Sequence, residues 1–299
     1  MVTDGGLETD LIFNHGVDLP EFAAYPLLAD GTGRALLTAY YEAYARIADR
    51  AGAGLLLEAP TWRANPDWGA RLGHSADDLR RANSDAVGLL RSLASRYAAE
   101  LGLRDVVVSG TVGPRGDGYR SAGSPSPDEA AAYHAAQVSA FAEAGADLVA
   151  AYTLTTPGEA IGVVRAAREH GIPVAISFTV EVDGRLPDGT GLADAVEQVD
   201  AQAAPDHYLV NCAHPEHVLA GLPGPGEGAD WRTRVLGVRY NASTRSHAEL
   251  DEAEDLDAGD LDRIADGHTR VASRLPGLTV VGGCCGTDAS HVARLWGVG

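Results

Sequence analysis

Residues 147–180 of the chain read DLVAAYTLTTPGEAIGVVRAAREHGIPVAISFTV. The two ends of this stretch, 147–151 and 174–180, are short apolar runs of the length that is typical of β-strands. The segment between them, 158–170, has apolar residues at the spacing of an amphipathic helix. A strand, a helix and a second strand in this order predict a parallel βαβ unit, because parallel strands need a long crossover connection.

The same alternation of strand and helix continues through the rest of the chain. Strand-like runs lie at 55–57, 106–108, 208–210, 235–240 and 278–281, and helical patterns lie at 34–51, 76–101, 127–144, 192–203 and 259–275. With a short first strand before Asp4 the count is eight, which is the number of strands that closes a barrel. We therefore predict an α/β fold, a (β/α)8 TIM barrel, with residues 1–299 in a single domain.

An open, doubly wound sheet is the alternative fold. The nearest match to its glycine-rich phosphate-binding fingerprint, 110–118, contains Pro114 and continues into a long loop instead of a helix. The Gly- and Pro-rich segment 221–230 and the acidic segment 249–262 are predicted to be loops that follow strands, and such loops lie on the catalytic face of a barrel. An ordinary solvated loop or the acidic start of a helix is an equally good interpretation of each segment.

Charge and residue usage exclude several classes of function. The formal net charge of -19 argues against nucleic acid or an anionic membrane as partner, since both attract basic residues. All 23 basic residues are Arg, so a lysine Schiff base and P-loop nucleotide binding are excluded. The start lacks a signal-peptide pattern, and no apolar stretch approaches the ~20 residues of a membrane span. We expect a cytoplasmic protein with small-molecule partners, and the sequence indicates no particular oligomeric state.

The positions of the three cysteines predict a metal site. Cys212 follows the run 208–210 closely, whereas Cys284 and Cys285 follow the run 278–281. In a barrel both groups would lie at the carboxyl ends of the sixth and eighth strands, where catalytic residues collect. Adjacent cysteines rarely reach disulfide geometry, and three cysteines leave one unpaired. Three thiolates around Zn²⁺ leave one coordination position open, as in catalytic sites. Small buried apolar residues are the alternative interpretation.

Several short motifs are distributed over nearly the whole chain. They are Asp4-Gly5-Gly6, Gly113-Pro114, Asn211-Cys212, Pro215-Glu216-His217-Val218 and Gly282-Gly283-Cys284-Cys285-Gly286-Thr287. Together they resemble the homocysteine S-methyltransferase family, and the most specific is the Gly-Gly-Cys-Cys-Gly stretch combined with the upstream Asn-Cys. The resemblance implies a (β/α)8 barrel that holds zinc through three cysteines, which match Cys212, Cys284 and Cys285.

The resemblance implies a zinc-dependent S-methyltransferase that converts homocysteine to methionine. A thiol bound to zinc is deprotonated near neutral pH. Such a thiolate keeps enough electron density to attack a methyl carbon, and the protein then needs mainly to align donor and acceptor. No cobalamin or folate domain fits in this length. The expected donor is therefore a small onium compound, and S-methylmethionine, S-adenosylmethionine and betaine are all candidates.

Substrate-binding residues are expected near the first, second and fourth predicted strands. Family members use an Asp of the first loop to bind the amino acid, and Asp4, followed by Gly5, matches it. After the fourth strand the family usually carries a Glu that helps to hold the homocysteine ammonium group. This chain has Tyr152 there, followed by Thr153. Because a buried ammonium group needs a counter-charge, we predict that Glu58, at the end of the second strand, replaces the lost carboxylate.

Several alternatives stay open at this stage. Glu181 is a second candidate for the missing carboxylate, and Glu58 is about as well explained as a loop residue paired with Arg63. The missing Glu also allows the same zinc chemistry on a different thiol or selenol acceptor. A barrel that binds zinc or a thiol without catalysis is a third possibility. His214, two residues after Cys212, is a candidate fourth zinc ligand, although a loop histidine without that role is more common.

Overall fold

The protein folds around one parallel β-sheet, in a computed structural model that describes residues 1–119, 123, 125–224, 230–253 and 255–298. Seven strands follow one another across the sheet in chain order, and every neighbouring pair is parallel. The strands are β1 (Leu55–Glu58), β2 (Val106–Val112), β3 (Leu148–Leu154), β4 (Val174–Phe178), β5 (His207–Ala213), β6 (Val235–Tyr240) and β7 (Val280–Gly283). All seven strand-like runs of the sequence therefore contribute to one sheet.

The segment before Asp4 lies between the first and the last strand. Val2 forms parallel bridges to Leu55 in β1 and to Val281 in β7. Its N–H and its carbonyl also make hydrogen bonds of 2.8 Å with the backbone at β1. The predicted first strand is thus a single bridging residue, because the chain turns within a few residues into the helix that begins at Leu7. The fold is α/β and TIM-barrel-like, with seven strands and one bridge where eight strands were predicted.

Helices connect the strands and cover the outer face of the sheet. They are α1 (Leu7–Thr9), α2 (Gly31–Ala51), α3 (Pro66–Arg71), α4 (Ala76–Glu100), α5 (Pro127–Ala144), α6 (Pro157–Glu169), α7 (Leu192–Gln202), α8 (Pro215–Gly221), α9 (His247–Asp251), α10 (Leu261–Ala272) and α11 (Ala289–Leu295). A π-helical turn, Asp10–Asn14, continues α1, and 3-10 turns lie at Pro20–Phe22, Tyr25–Ala29 and Asp230–Arg234. Strand and helix therefore alternate as the sequence predicts.

Local sequence signals fix the ends of the long helices. Ser75 and Ser126 begin α4 and α5 with capping boxes. In each box the serine hydroxyl accepts the backbone N–H of the residue three positions later, and the carboxylate of that residue accepts the serine N–H. Gly145 ends α5 in the left-handed conformation with a φ of 81°. Such caps explain why the observed bounds of α5 are those predicted from the sequence.

Two loop predictions change in the structure. Segment 221–230 begins at the end of α8 and leads into β6, so it is a helix-to-strand loop on the face opposite the carboxyl ends of the strands. Its residues 225–229 lie outside the described residues. Segment 249–262 does follow a strand, but it contains the end of α9 and the start of α10, and its residue 254 is not described. Helices α8 and α9 are absent from the sequence-based prediction, because helices of this length contain no complete apolar repeat.

Successive residues of the strands point to opposite faces of the sheet. One face packs against the helices and belongs to the main hydrophobic core. The other face contributes a small separate cluster: Leu56, Ala150, Tyr152, Ala175, Leu209 and Val280.

In the described part of the chain, no helix has both the length and the apolarity that crossing a membrane requires.

Candidate functional site

Cys212, Cys284 and Cys285 come together at the carboxyl ends of two strands. Cys212 is the penultimate residue of β5, and the adjacent pair follows β7 directly. The three sulfur atoms lie within 4.8 Å of one another, and none is in a disulfide. Across the described residues, this is the only group of three or more His, Cys, Asp or Glu ligand atoms that could hold a metal ion.

The donor set of this cluster is suited to a thiophilic metal ion. Soft thiolate ligands favour zinc, copper(I) and iron–sulfur centres over the hard cations that carboxylates bind. Three sulfurs at this spacing supply three of the four ligands that Zn²⁺ takes in a tetrahedral site. The residues present therefore fit Zn²⁺ with one position left for a further ligand.

The backbone is strained where it presents this site. Cys212 and Thr153 have φ values of 52° and 62°, which are uncommon for residues other than Gly. The pairing register shifts at both residues, in β5 and β3 respectively, and such bulges re-aim side chains. Asn211 joins the two bulges, because its side chain accepts the Thr153 N–H at 2.8 Å and donates to the Thr153 hydroxyl at 2.9 Å. The strained conformation, at a cost of about 1–3 kcal/mol per residue, is thus held by specific hydrogen bonds.

Hydrogen bonds concentrate negative charge on the cysteine cluster. Burial disfavours the Cys212 thiolate, yet hydrogen bonds from Cys284, Cys285 and Tyr119 lower the pKa of Cys212 well below its usual range. The hydrogen bond to Cys212 and burial raise the pKa of Cys284 to about 12. Asn241 adds an amide N–H at 3.6 Å from the Cys212 sulfur. The pocket therefore stabilises one thiolate by itself, and a bound cation would favour ionisation of the other two thiols.

Tyr119 covers the cluster from the loop that follows β2. Its hydroxyl lies 3.1 Å from the sulfurs of both Cys212 and Cys285. The ring stacks on His247, with centroids 4.3 Å apart. His247 contacts the Glu181 carboxylate and the Cys212 carbonyl, each at 2.9 Å. Glu181, the second candidate for ammonium binding, is thus engaged with His247 and does not line the cavity next to the cysteines.

Asp4 lies beside the cluster and is paired with an arginine that is not among the predicted site residues. Arg239 of β6 forms an ion pair with the Asp4 carboxylate and donates to the Gly5 and Gly283 carbonyls at 3.0 and 2.9 Å. Its guanidinium also lies 4.8 Å from the centre of the Tyr152 ring. Burial raises the pKa of Asp4 to about 6, although Arg239 opposes this shift. The pair fixes the first loop against the end of β7.

Glu58 lies against Tyr152 on the wall of the same cavity. One Glu58 carboxylate oxygen accepts the Tyr152 hydroxyl at 2.5 Å, and the other accepts the Thr111 hydroxyl at 3.1 Å. Glu58 is only 3% exposed. The alternative pairing of Glu58 with Arg63 is absent from the described contacts, because the Arg63 guanidinium stacks on the rings of Trp62 and Trp68.

These side chains line one cavity of about 450 Å³ that opens at the carboxyl ends of the strands. All eight predicted site residues contribute to it: Asp4, Gly5, Glu58, Tyr152, Thr153, Cys212, Cys284 and Cys285. Its wall also contains the aromatic residues Phe13, Phe22, Trp62 and Tyr119 and the acidic residues Glu8, Asp117, Asp255 and Asp257. His214 is outside it, since this buried histidine caps α8 by accepting the Glu216 N–H at 3.2 Å.

Comparison with known proteins agrees with this arrangement. The family model described as homocysteine S-methyltransferase matches residues 1–297. The chain belongs to the homocysteine S-methyltransferase family. It is therefore a methyltransferase-type enzyme, and the resemblance seen in the sequence motifs is confirmed over nearly the full length.

Curated members of the family are similar to the chain at moderate identity. The homocysteine S-methyltransferase of Escherichia coli is 27% identical over 254 residues, which cover 82% of this chain and 80% of that protein. Homocysteine S-methyltransferase 4 of Zea mays is 26% identical over 316 residues, covering 98% and 87%. Homocysteine S-methyltransferase YbgG of Bacillus subtilis is 25% identical over 215 residues, and the matched part is 63% of this chain and 60% of YbgG.

Solved structures of this family share the fold. The oxidized form of the homocysteine methyltransferase MmuM from Escherichia coli superposes with a TM-score of 0.78 at 23% identity, covering 100% of this chain and 96% of MmuM. The metallated form of MmuM gives a TM-score of 0.73 with the same coverage. At this identity the likeness concerns the fold alone.

Proposed function

We propose that this member of the family is a zinc-dependent enzyme that transfers a methyl group from a small onium donor to the sulfur of homocysteine, giving methionine. The observation that carries the proposal is the approach of three cysteine sulfurs to within 4.8 Å of one another on the wall of a cavity of about 450 Å³. Cys212, Cys284 and Cys285 would hold Zn²⁺, which when bound lowers the pKa of a substrate thiol and orients the thiolate.

The residues around the cysteines would bind the amino-acid part of the acceptor. Glu58 supplies a buried carboxylate beside Tyr152, where the family usually has its own Glu, and it would accept the ammonium group of homocysteine. Asp4 adds a second carboxylate, and its pairing with Arg239 keeps both charges near the end of β7. Gly5 and Thr153 line the same wall and leave room for the acceptor chain.

The cavity wall suits a cationic donor. Aromatic faces and carboxylates both attract onium groups, and Trp62, Tyr119, Asp117 and Asp257 are among the lining residues. The Tyr119 hydroxyl lies 3.1 Å from the sulfurs of Cys212 and Cys285. It would therefore have to move away from them when the acceptor binds. Once donor and acceptor are aligned, the remaining task of these residues is to exclude water and hold an in-line geometry.

A second acceptor class keeps the same chemistry but uses a different thiol or selenol. The replacement of the family's Glu by Tyr152 favours this alternative. The position of Glu58, with one oxygen 2.5 Å from the Tyr152 hydroxyl, supports homocysteine instead, because it restores a carboxylate at the same wall. A zinc- or thiol-binding barrel without catalysis is the remaining candidate.

The decisive experiment measures zinc content and methyl transfer on the same preparation. Zinc-loaded protein is incubated with homocysteine, or with another thiol or selenol, together with one donor at a time (S-methylmethionine, S-adenosylmethionine or betaine), and the methylated product is quantified by mass spectrometry. We expect one zinc per chain and methionine from at least one donor, with loss of both in Cys284→Ser. Transfer to another thiol but not to homocysteine would favour the second acceptor class. Zinc binding without transfer to any thiol would contradict an enzymatic function.

We further propose that residues 1–299 form one domain, a barrel in which Val2 takes the place of an eighth strand, and that the protein works in the cytoplasm. The bridges of Val2 to both β1 and β7 support closure. One hydrophobic cluster that includes both Val2 and Ala293 supports a single domain. Three cysteines without a disulfide agree with a reducing compartment. A single calorimetric unfolding transition is expected, and two separable transitions would contradict the single domain.

A further inference from the structure

Arg63 is a buried cation in the cavity wall that the proposed reaction does not yet use. It lies in the loop between β1 and α3 and is 8% exposed. The guanidinium carbon is 3.5 Å from the centre of the Trp68 ring and 4.2 Å from that of Trp62. Stacking on two indoles restrains the plane of the guanidinium, so its hydrogen-bonding edge has a defined direction.

The Arg63 guanidinium has few partners for a buried charge. Of its five N–H groups, one makes a hydrogen bond to the described residues, from Nη1 to the Gly116 carbonyl at 3.3 Å. Nε is buried without a partner. Within 4.0 Å of its nitrogens the described residues provide no carboxylate oxygen, and the nearby Asp117 carboxylate instead accepts the Tyr119 N–H at 2.7 Å. Burial lowers the pKa of Arg63 to about 10, so it stays protonated at neutral pH.

Asp117 and Glu8 favour the charged form of Arg63 from a distance, but neither makes an ion pair with it. A buried charge without a close counter-charge is costly, so this arrangement suits an anionic group of a ligand. The cavity wall contains one other arginine among its described residues, Arg239, and that residue is neutralised by Asp4 next to Cys284. Arg63 instead contacts the loop that carries Tyr119. The reaction needs two substrates, and the residues proposed to bind the amino-acid group of the acceptor, Asp4 and Glu58, line the cavity wall together with the cysteines. Arg63 is thus available to the second substrate.

We propose that Arg63 binds the carboxylate of the methyl donor. A guanidinium edge can bind a carboxylate through two parallel hydrogen bonds. The stacked indoles hold that edge in place without competing for it, and the ring of Trp62 also belongs to the cavity wall. This assignment rests on the proposed function, because it assumes that a donor enters the same cavity.

The test pairs each donor with an analogue that lacks the carboxylate. Betaine is compared with choline, S-adenosylmethionine with its decarboxylated form, and S-methylmethionine with (3-aminopropyl)dimethylsulfonium. Binding to the full-length protein is followed by tryptophan fluorescence, since Trp62 and Trp68 flank Arg63. Donors that are turned over are also compared by kcat/KM. The variants are Arg63→Gln and, as a matched control, Arg71→Gln.

Arg71 is a suitable control because it also stacks on Trp68, at 4.3 Å, but its side chain is 60% exposed, pairs with Glu21 and is not part of the cavity wall. In wild type and Arg71→Gln we expect the carboxylate to improve donor binding roughly 10- to 150-fold, the size of a charge-assisted hydrogen bond. In Arg63→Gln that preference should fall to about threefold or less, with the KM for the acceptor unchanged.

Two results would overturn the assignment. One is a carboxylate preference that survives in Arg63→Gln. The other is a loss of preference confined to the acceptor, seen by comparing homocysteine with 3-aminopropane-1-thiol. If Arg63→Gln fails to fold, Arg63→Lys keeps the charge without the planar fork and should show an intermediate preference, whereas an unchanged preference would count against the fork. Carboxylate-dependent binding at Arg63 without methyl transfer from any donor would support this site while contradicting the proposed function.

Discussion

Replacing Glu58 by Gln removes one charge from the cavity wall with little change in shape. The Glu58 carboxylate accepts the Tyr152 hydroxyl at 2.5 Å and the Thr111 hydroxyl at 3.1 Å. Gln keeps one carbonyl oxygen as acceptor but has no negative charge. If Glu58 is the counter-charge of the homocysteine ammonium group, the variant should fold and bind zinc yet bind homocysteine weakly.

The size of the effect follows from the kind of contact that is lost. A hydrogen bond to a charged group contributes roughly 1.5–3 kcal/mol. At about 1.4 kcal/mol for each factor of ten in affinity, this corresponds to roughly 10- to 150-fold in the Kd of homocysteine. Because Glu58 is 3% exposed, solvent screening should not reduce the effect greatly.

The assay is calorimetric titration of the zinc-loaded protein with homocysteine and with 4-mercaptobutanoate, which has the same chain without the ammonium group. Glu58→Gln should weaken the binding of homocysteine alone, and both proteins should bind 4-mercaptobutanoate equally. Tyr152→Phe is the control, since it removes the 2.5 Å hydrogen bond but leaves the charge, and its effect should be smaller. A loss of no more than a few-fold for homocysteine in Glu58→Gln would refute the idea that this carboxylate replaces the family's Glu.

Three further predictions address the metal, the first loop and pH. Cys212→Ser should lower zinc content, measured by plasma mass spectrometry, to well under one per chain; full occupancy at wild-type affinity would exclude Cys212 as a ligand. Gly5→Ala places a Cβ 2.6 Å from the Tyr44 hydroxyl and should cost about 1–3 kcal/mol in urea unfolding, which Tyr44→Phe should partly restore; an unchanged stability would contradict the packing argument. Burial opposes protonation of His291, but the hydrogen bond to Asp288 at 2.8 Å outweighs it, so the pKa of His291 is raised. The protonated histidine therefore stabilises the fold below pH 6.5, and this stabilisation is lost as the pH rises through the pKa of the folded state. The loss of stability in Asp288→Asn should therefore be larger at pH 5.5 than at pH 9, and equal losses would contradict this linkage.

The order of strands and helices could be predicted because their signals are local. Helix α5 was predicted at its observed bounds, since Ser126 caps its start and Gly145 ends it in the left-handed conformation. Strands β3 and β5 extend beyond the predicted runs to Leu154 and Ala213. At the bulges, Tyr152 and Thr153 of β3 and Asn211 and Cys212 of β5 line the cavity as consecutive residues, so polar side chains there interrupt the apolar pattern that identifies a strand.

The parts of the site that depend on long-range contacts could not be predicted. Arg239 lies in an apolar run, and its partner Asp4 is 235 residues away, a relation that no spacing reveals. Tyr119 lies in a long loop without periodicity, so its approach to the cysteines follows only from the fold. The positive φ at Cys212 also has no signature, because such a conformation is normally indicated by Gly.

The bridge at Val2 joins segments that are synthesised at very different times. Val2 contacts Val281, and Asp4 pairs with Arg239, so the two ends of the described chain meet at the cavity. Val2 and Asp4 are synthesised before β6 and β7, so their contacts with Val281 and Arg239 can form only after these strands have left the ribosome. Contacts across such sequence separations form slowly, because a long loop must close first. If the cysteines bind zinc as proposed, the complete metal site should therefore form only after β6 and β7 have emerged and paired with the segment around Val2.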